Sequence, residues 1–126
     1  MRSATLAPKN ERPAVQPFNM NCREFSRLAV VQLAGKIGAA DVDSLRLRLK
    51  VVMMRQPTLV VIDMSKLEFL GSMAIGALLE FRMDVLRRQG EIVLAAVPPA
   101  VLTLLHASRL DELFTIKEDV AAALAV

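Results

Sequence analysis

Short aliphatic runs alternate along the chain with stretches in which apolar residues recur at helical spacing, and this alternation limits the folds available to it. The runs are FSRLAVVQLAGKI (residues 25–37), TLVVIDM (58–64), EIVLAAV (91–97) and LFTI (113–116). Continuous aliphatic runs such as TLVVIDM indicate interior strands that are covered on both faces. The sequence therefore predicts four strands, each followed by a helix, in an α/β domain with a largely parallel sheet.

Two of the intervening segments have clear helical signals. In residues 40–57, Val42, Leu45 and Leu49 fall at helical spacing, so this segment is predicted to form an amphipathic helix. Residues 73–90 have the same periodicity and end in basic residues followed by Gly90, as helix C-termini often do. Shorter helices are predicted from PPAVLTLLHA (98–107) and EDVAAALAV (118–126).

The first 22 residues differ from the rest of the chain. They contain three of the six prolines and little periodicity, so we expect a flexible N-terminal arm at residues 1–22 and one domain at residues 23–126. No segment approaches the roughly 18 consecutive apolar residues of a membrane span. A secretory signal is also not apparent, and the single Cys22 excludes an intramolecular disulfide. These features predict a cytoplasmic protein.

Charge and residue spacing exclude several classes of function. The net charge is +3, but basic residues are interspersed with acidic ones on predicted helix surfaces, and there is no Tyr or Trp to stack on bases, which argues against nucleic-acid binding. Cys22 and His106 are single residues of their kind, so no metal-ligand spacing exists. No Gly-rich nucleotide loop is present, and we expect no cofactor.

One hydroxyl interrupts the apolar stretch FLGSMAIGALLE (69–80). Ser72 follows the predicted strand 58–64 after the polar segment SKLEF, which is expected to be a loop, and it opens the next helix. The carboxyl ends of parallel strands are where α/β domains bind ligands and partners. Ser72 could cap the helix or accept a phosphate, and both roles remain open. A nucleophilic role is disfavoured, because GSMAI is not a G-x-S-x-G motif and His106 has no evident reason to face Ser72.

The segment LVVIDMSKLEFLGSMAIGALLEF resembles the central part of STAS domains, the anti-sigma factor antagonist family. Asp63, Ser65, Leu67, Phe69 and Ser72 occupy the positions of the family motif. The downstream segment PPAVLTLLHASRLDELFTIKEDVAAAL is similar to the next block of the family. The resemblance spans about residues 24–126, and the order and spacing of the motifs make it specific.

This resemblance implies a small mixed, largely parallel sheet with about four helices packed mainly on one face. It implies a regulatory protein without enzymatic activity, which binds an anti-sigma factor that is also a serine kinase. The partner would bind the ATP, Ser72 would be the phosphorylated residue, and a phosphatase would reverse the modification. The expected partner surface comprises Gly38, Gly71, Ser72, Met73, Ile75 and Gly76. Asp63 and Ser65 are expected to anchor the following loop, and homodimerisation is left open.

Two positions differ from the family pattern. Many phosphorylated members have Asp directly before the serine, where this chain has Gly71. Many also have Asp or Asn in the loop after the first hairpin, where this chain has Gly38. These differences keep an alternative open, in which the chain is a phosphorylation-independent STAS subunit of a larger assembly, for instance beside the ATPase of a lipid-transport complex.

Overall fold

Five strands form one mixed sheet in the computed structural model, which describes residues 17–125. The strands and helices, in chain order, are β1 (Asn19–Phe25), β2 (Leu28–Ile37), α1 (Val42–Met53), β3 (Leu59–Leu70), α2 (Ser72–Arg87), β4 (Glu91–Ala95), α3 (Pro99–Ala107), β5 (Thr115–Lys117) and α4 (Val120–Leu124). Short 3-10 turns at Ala39–Asp41 and Leu110–Glu112 precede α1 and β5. Most of the predicted N-terminal arm lies outside the described residues.

The strand order in the sheet is β1-β2-β3-β4-β5. Strand β1 runs antiparallel to β2, and all other neighbours are parallel. The predicted α/β class and the alternation of strands and helices from β2 to α4 are confirmed. None of the helices in residues 17–125 is long and apolar enough to cross a membrane.

The N-terminal hairpin differs from the expectation of one strand at residues 25–37. The chain reverses at Ser26 and Arg27, so β1 begins at Asn19, inside the segment expected to be an arm. Because β1 is an edge strand, it needs few apolar residues: Met20 is buried and Cys22 is half-buried, whereas the other five side chains are exposed. This polar composition conceals the strand in the sequence.

The main core lies between one face of the sheet and three helices. Leu45 and Leu49 of α1, Phe81 of α2, and Val101 and Leu105 of α3 are buried there. Helix α4 covers part of the opposite face, where Ala123 packs against a small cluster formed by Val30, Val61, Val93 and Ala95. The prediction that the helices pack mainly on one face is therefore confirmed.

Strand β3 extends six residues beyond TLVVIDM, through the segment predicted to be a loop. Lys66, Leu67, Phe69 and Leu70 pair with residues of β2 from Ala34 to Ile37. The register shifts between Gln32 and Ala34 and again between Gly35 and Lys36, and at each shift β3 contains one extra residue. These β-bulges explain why the strand does not show simple alternation in the sequence. The helix α2 therefore begins directly after a strand, with only Gly71 between them.

A bidentate ion pair joins α1 to α2. Arg46 donates from Nε and Nη2 to the two carboxylate oxygens of Glu80, at 2.9 and 3.0 Å. These hydrogen bonds lower the pKa of Glu80 below its ordinary value of 4.5. Because the pKa is lowered in the folded state, the stabilisation is present at neutral pH and is lost as the pH falls through the lowered pKa.

Substitutions of Phe81 and Met83 test which face of α2 contributes to the core. Phe81 is buried and Met83 is about half exposed on the same helix. We expect Phe81→Ala to lower the free energy of unfolding by about 3–5 kcal/mol, because it leaves a cavity between α2 and the sheet. Met83→Ala is the matched control and should cost about 1 kcal/mol or less. Urea titrations followed by circular dichroism measure both values, and equal losses would contradict this packing.

Candidate functional site

The extended half of β3 is held by the carboxylate of Asp63. This side chain is buried, and its Oδ1 accepts a hydrogen bond from the backbone N–H of Ser65 at 3.0 Å. Its Oδ2 accepts from Nε2 of Gln32 on the neighbouring strand at 3.3 Å. Both contacts lie at the first β-bulge. Asp63 thus stabilises an irregular strand rather than the loop that was expected, and Ser65 contributes its backbone N–H to this contact.

The two strands remain joined up to the start of α2. The N–H of Gly71 donates to the carbonyl oxygen of Ile37 at 2.9 Å, directly after the last paired residues of β2 and β3. A Cβ atom on Gly71 would lie 3.3 Å from that oxygen and 3.8 Å from Cα of Gly38. The structure therefore brings together Gly38 and Gly71, the two positions at which many family members carry polar residues.

Helix α2 begins at Ser72, and Gly71 occupies the capping position. Gly71 has an extended backbone, and its carbonyl accepts the first intrahelical hydrogen bond, from the N–H of Ile75 at 3.1 Å. The interpretation of Ser72 as a capping side chain is therefore wrong. Ser72 is exposed, and its hydroxyl makes no hydrogen bond to any residue that the structure describes.

The first turn of α2 presents only part of the predicted partner surface. Met73 is exposed and Gly76 is partly exposed beside Ser72. The side chain of Ile75 is buried in the main core, because it lies on the sheet-facing side of α2. Ile75 was expected on the partner surface, and the structure instead gives it a packing role. A Cβ atom on Gly38 would have no atom of the described residues within 4 Å, so this side of the site is open.

Charged groups that the family motif did not identify lie near the two glycines. The Nζ atom of Lys36 lies 5.5 Å from the ring centroid of Phe69, and that ring would be 3.4 Å from a Cβ on Gly71. Near Gly38, the Oδ2 of Asp41 accepts a hydrogen bond from the N–H of Gly38 at 3.0 Å. An acidic group is thus present at this corner, although it comes three residues after Gly38 in the sequence.

His106 is not part of this site. It lies in the last turn of α3, where its Nδ1 is 2.8 Å from Oδ2 of Asp111. The N-terminus of α3 follows β4, so the end of the helix points away from the carboxyl ends of the strands. Ser72 therefore has no histidine partner among the described residues, and no cluster of three or more potential metal ligands occurs within residues 17–125.

Comparisons with known proteins agree with this fold. The model of the STAS domain family matches residues 19–123. The structure is similar to an anti-sigma factor antagonist from Mycobacterium paratuberculosis, with a TM-score of 0.78 and 25% identity over 86% of this chain and 92% of that one. No match was found among the curated proteins.

Two structures of the anti-sigma factor antagonist SpoIIAA are also similar. The phosphorylated form of this Bacillus cell fate determinant has a TM-score of 0.67 and 16% identity, over 86% of this chain and 97% of that one. The unphosphorylated form has a TM-score of 0.73 and 17% identity, over 86% of this chain and 93% of that one. At these identities, the similarity to SpoIIAA describes the fold.

Alanine at each of the two glycines tests the packing of the site. Gly71→Ala should lower the free energy of unfolding by about 1 kcal/mol or more, because the new methyl group is pressed against the carbonyl of Ile37 and the ring of Phe69. Gly38 has negative φ and open space, so Gly38→Ala should be neutral or stabilise by about 0.4–1 kcal/mol. Urea denaturation of both variants provides the comparison, and a less stable Gly38→Ala than Gly71→Ala would be inconsistent with this geometry.

Replacement of Asp63 tests its role at the β-bulge. Asp63→Ala removes the acceptor for the Ser65 N–H and the Gln32 amide, and we expect a loss of about 1–3 kcal/mol in the free energy of unfolding. Asp43 is exposed on α1 and does not lie at a β-bulge. Asp43→Ala therefore removes a carboxylate without removing such an anchor, and it serves as the control. Amide hydrogen exchange should show the faster opening at residues 65–70, and unchanged exchange there would argue against the anchoring role.

Proposed function

Because this chain belongs to the STAS domain family, we propose that it is an anti-sigma factor antagonist, a regulatory protein that binds an anti-sigma factor with serine kinase activity and is switched by phosphorylation of Ser72. The observation that carries this proposal is the position of Ser72. Its hydroxyl is exposed in the first turn of α2 and is not engaged by any described residue. A kinase can therefore reach this hydroxyl without unfolding the helix.

The start of α2 is suited to carry a phosphate. The backbone N–H groups of Ser72, Met73 and Ala74 are in the first turn and have no acceptors within the helix. These groups and the helix dipole favour an anion at this end. A phosphate adds about two negative charges at neutral pH. The modification should therefore leave the domain folded while it changes the charge of the surface that a partner contacts.

The proposed partner surface combines the first turn of α2 with the neighbouring loop. It consists of Gly38, Gly71, Ser72, Met73 and Gly76, which leaves out the buried Ile75. Met73 supplies an exposed apolar contact, and Gly38 and Gly76, which have open space where a Cβ would lie, allow a close approach of the partner to the backbone. The kinase partner binds the ATP, so this arrangement requires both proteins to be in the cytoplasm. A phosphatase removes the phosphate and restores the form that binds the partner.

The absence of acidic side chains at positions 38 and 71 motivates the second candidate, a phosphorylation-independent STAS subunit of a larger assembly that binds its partner constitutively. In that case Ser72 would only be a surface residue of the interface. The two candidates differ in whether the anti-sigma factor transfers phosphate to Ser72 and in how strongly charge at this position affects binding.

Phosphorylation of the purified protein tests the first part of the proposal. Incubation with the cognate anti-sigma kinase and ATP should add one phosphate, as measured by intact mass, and Ser72→Ala should abolish the addition. Ser44 is a suitable control, because it is also exposed in the first turn of a helix, and Ser44→Ala should be phosphorylated normally. Phosphate incorporation that persists in Ser72→Ala would show that the assigned acceptor is wrong.

The effect of charge on binding separates the two candidates. Ser72→Asp should weaken binding of the anti-sigma factor at least tenfold, since an unpaired charge that is buried in an interface costs several kcal/mol of desolvation. Ser44→Asp adds the same charge outside the proposed surface and should change the dissociation constant less than twofold. Isothermal titration calorimetry measures these values. A constitutive subunit predicts a loss of only a fewfold for Ser72→Asp.

A further inference from the structure

Helix α1 has a second apolar stripe on its outer side. Leu47, Val51 and Met54 are 65%, 56% and 79% exposed, and they follow one another at intervals of four and three residues. This spacing places them on one face of the helix and is typical of a helix–helix contact. The core-facing residues of α1 form a different stripe, which includes Leu45 and Leu49. Single exposed aliphatic residues are common, but a continuous row of large ones indicates a binding surface.

Basic side chains border this outer stripe on both sides. Arg48 and Arg55 lie toward β1, where Arg48 donates to the carbonyl of Met20 at 2.9 Å and Arg55 pairs with Glu24 at 3.2 Å. On the other side, the C-terminal ends of α1 and α2 form a groove whose lining includes Lys50, Met54, Asp84, Arg87 and Arg88.

The balance of charge around the stripe is positive. Arg87 is paired with Asp84 at 2.9 Å, whereas no described carboxylate oxygen lies within 4 Å of Lys50 or Arg88. Asp43 lies one turn before Leu47, at the N-terminal end of the stripe. Five basic residues therefore surround the row of apolar side chains, against the three carboxylates of Glu24, Asp43 and Asp84. Glu80 also attracts Lys50, but its carboxylate is paired with Arg46, so the balance stays positive. A partner that buries the row must be acidic at its edges.

Charge complementarity also argues against other occupants. In a twofold contact between two copies, the same basic edges would face each other, which is unfavourable. The segment 1–16 of this chain carries Arg2, Lys9 and Arg12 against Glu11, so its charge has the wrong sign. A membrane surface would also attract the basic edges, but binding to it scales with the apolar area that is buried, and this stripe offers only three apolar side chains because the other apolar face of α1 is packed in the core.

We propose that the Leu47–Val51–Met54 stripe of α1 binds an amphipathic helix of a partner protein, one whose apolar row is flanked by Asp and Glu. Such a helix would pack along α1 and reach the groove with its acidic side chains near Lys50 and Arg88. Binding of this kind is strengthened at low ionic strength and weakened by added salt.

The stripe is separate from the site at Ser72. Helix α1 starts near Gly38 and runs toward the opposite end of the sheet, and Lys50 lies eight residues, about 12 Å, beyond its first residue. Exposed charges separated by more than about 8 Å are largely screened at physiological ionic strength. Binding at the stripe is therefore independent of a phosphate on Ser72, and this inference does not rest on the proposed phosphorylation.

A pair of synthetic peptides tests the proposal. One is an 18-residue helix-forming peptide with a row of Leu flanked by Glu, and the other has Lys at every Glu position. Fluorescence anisotropy with the full chain should show binding of the acidic peptide and at least tenfold weaker binding of the basic one. Val51→Asp should weaken binding of the acidic peptide at least tenfold, and so should the double charge variant Lys50→Glu/Arg88→Glu. Met54→Asp, at the most exposed position, replaces Val51→Asp if that variant does not fold.

Two matched variants serve as controls. Leu102 is 41% exposed on α3, and Leu102→Asp should change the affinity less than twofold. Ser72→Asp should likewise leave the affinity for the acidic peptide unchanged, which separates this test from the test of the phosphorylation site. Equal binding of both peptides, an equal loss in Leu102→Asp, or no binding of the acidic peptide would overturn the proposal.

Two further measurements test whether a membrane or a second copy of the chain binds the stripe instead. Binding to phosphatidylglycerol–phosphatidylcholine vesicles that is lost in Val51→Asp, without peptide binding, would identify a membrane surface instead. Sedimentation that shows a dimer in the parent protein and a monomer in Val51→Asp would identify a second copy of the chain. Either result would overturn the assignment to a partner helix.

Discussion

The pairing of β3 with β2 as far as Gly71 is the constraint on which the rest of the structure depends. Two β-bulges let β3 follow β2 beyond the end of β4, and Asp63 holds the first of them. The final hydrogen bond, from the Gly71 N–H to the Ile37 carbonyl, fixes where α2 begins. It also sets the loop at Gly38 beside the first turn of that helix. Ser72 owes its exposed position to this rigid connection, since no flexible loop separates the strand from the helix.

The elements that bury a whole face were predictable from the sequence. TLVVIDM and EIVLAAV are aliphatic because both faces of β3 and β4 are covered, and α1 and α2 show the helical period because one side of each packs on the sheet. Strand β1 was missed because an edge strand needs only Met20 and Cys22 to be apolar. The segment SKLEF looked like a loop because its bulges break the alternation of a regular strand.

The candidate site was predictable in position but not in detail. The motif located Ser72, Gly71 and Asp63 in the sequence, because their spacing resembles that of the family. Whether a given residue of α2 faces the core depends on how the helix is rotated on the sheet, so the burial of Ile75 was not foreseen. The carboxylate of Asp41 returns to the N–H of Gly38 through a 3-10 turn, a local contact that no periodicity reveals.

We propose two separate binding surfaces for this domain, one whose charge a phosphate on Ser72 would change and one along α1 that it would not affect. A phosphorylation switch at the first surface is tested most directly by the dissociation constant of the proposed anti-sigma factor partner for the kinase-phosphorylated protein. We expect at least tenfold weaker binding than for the unmodified protein, with full recovery after phosphatase treatment. Equal affinity of the phosphorylated and unmodified forms would contradict a phosphorylation switch at Ser72.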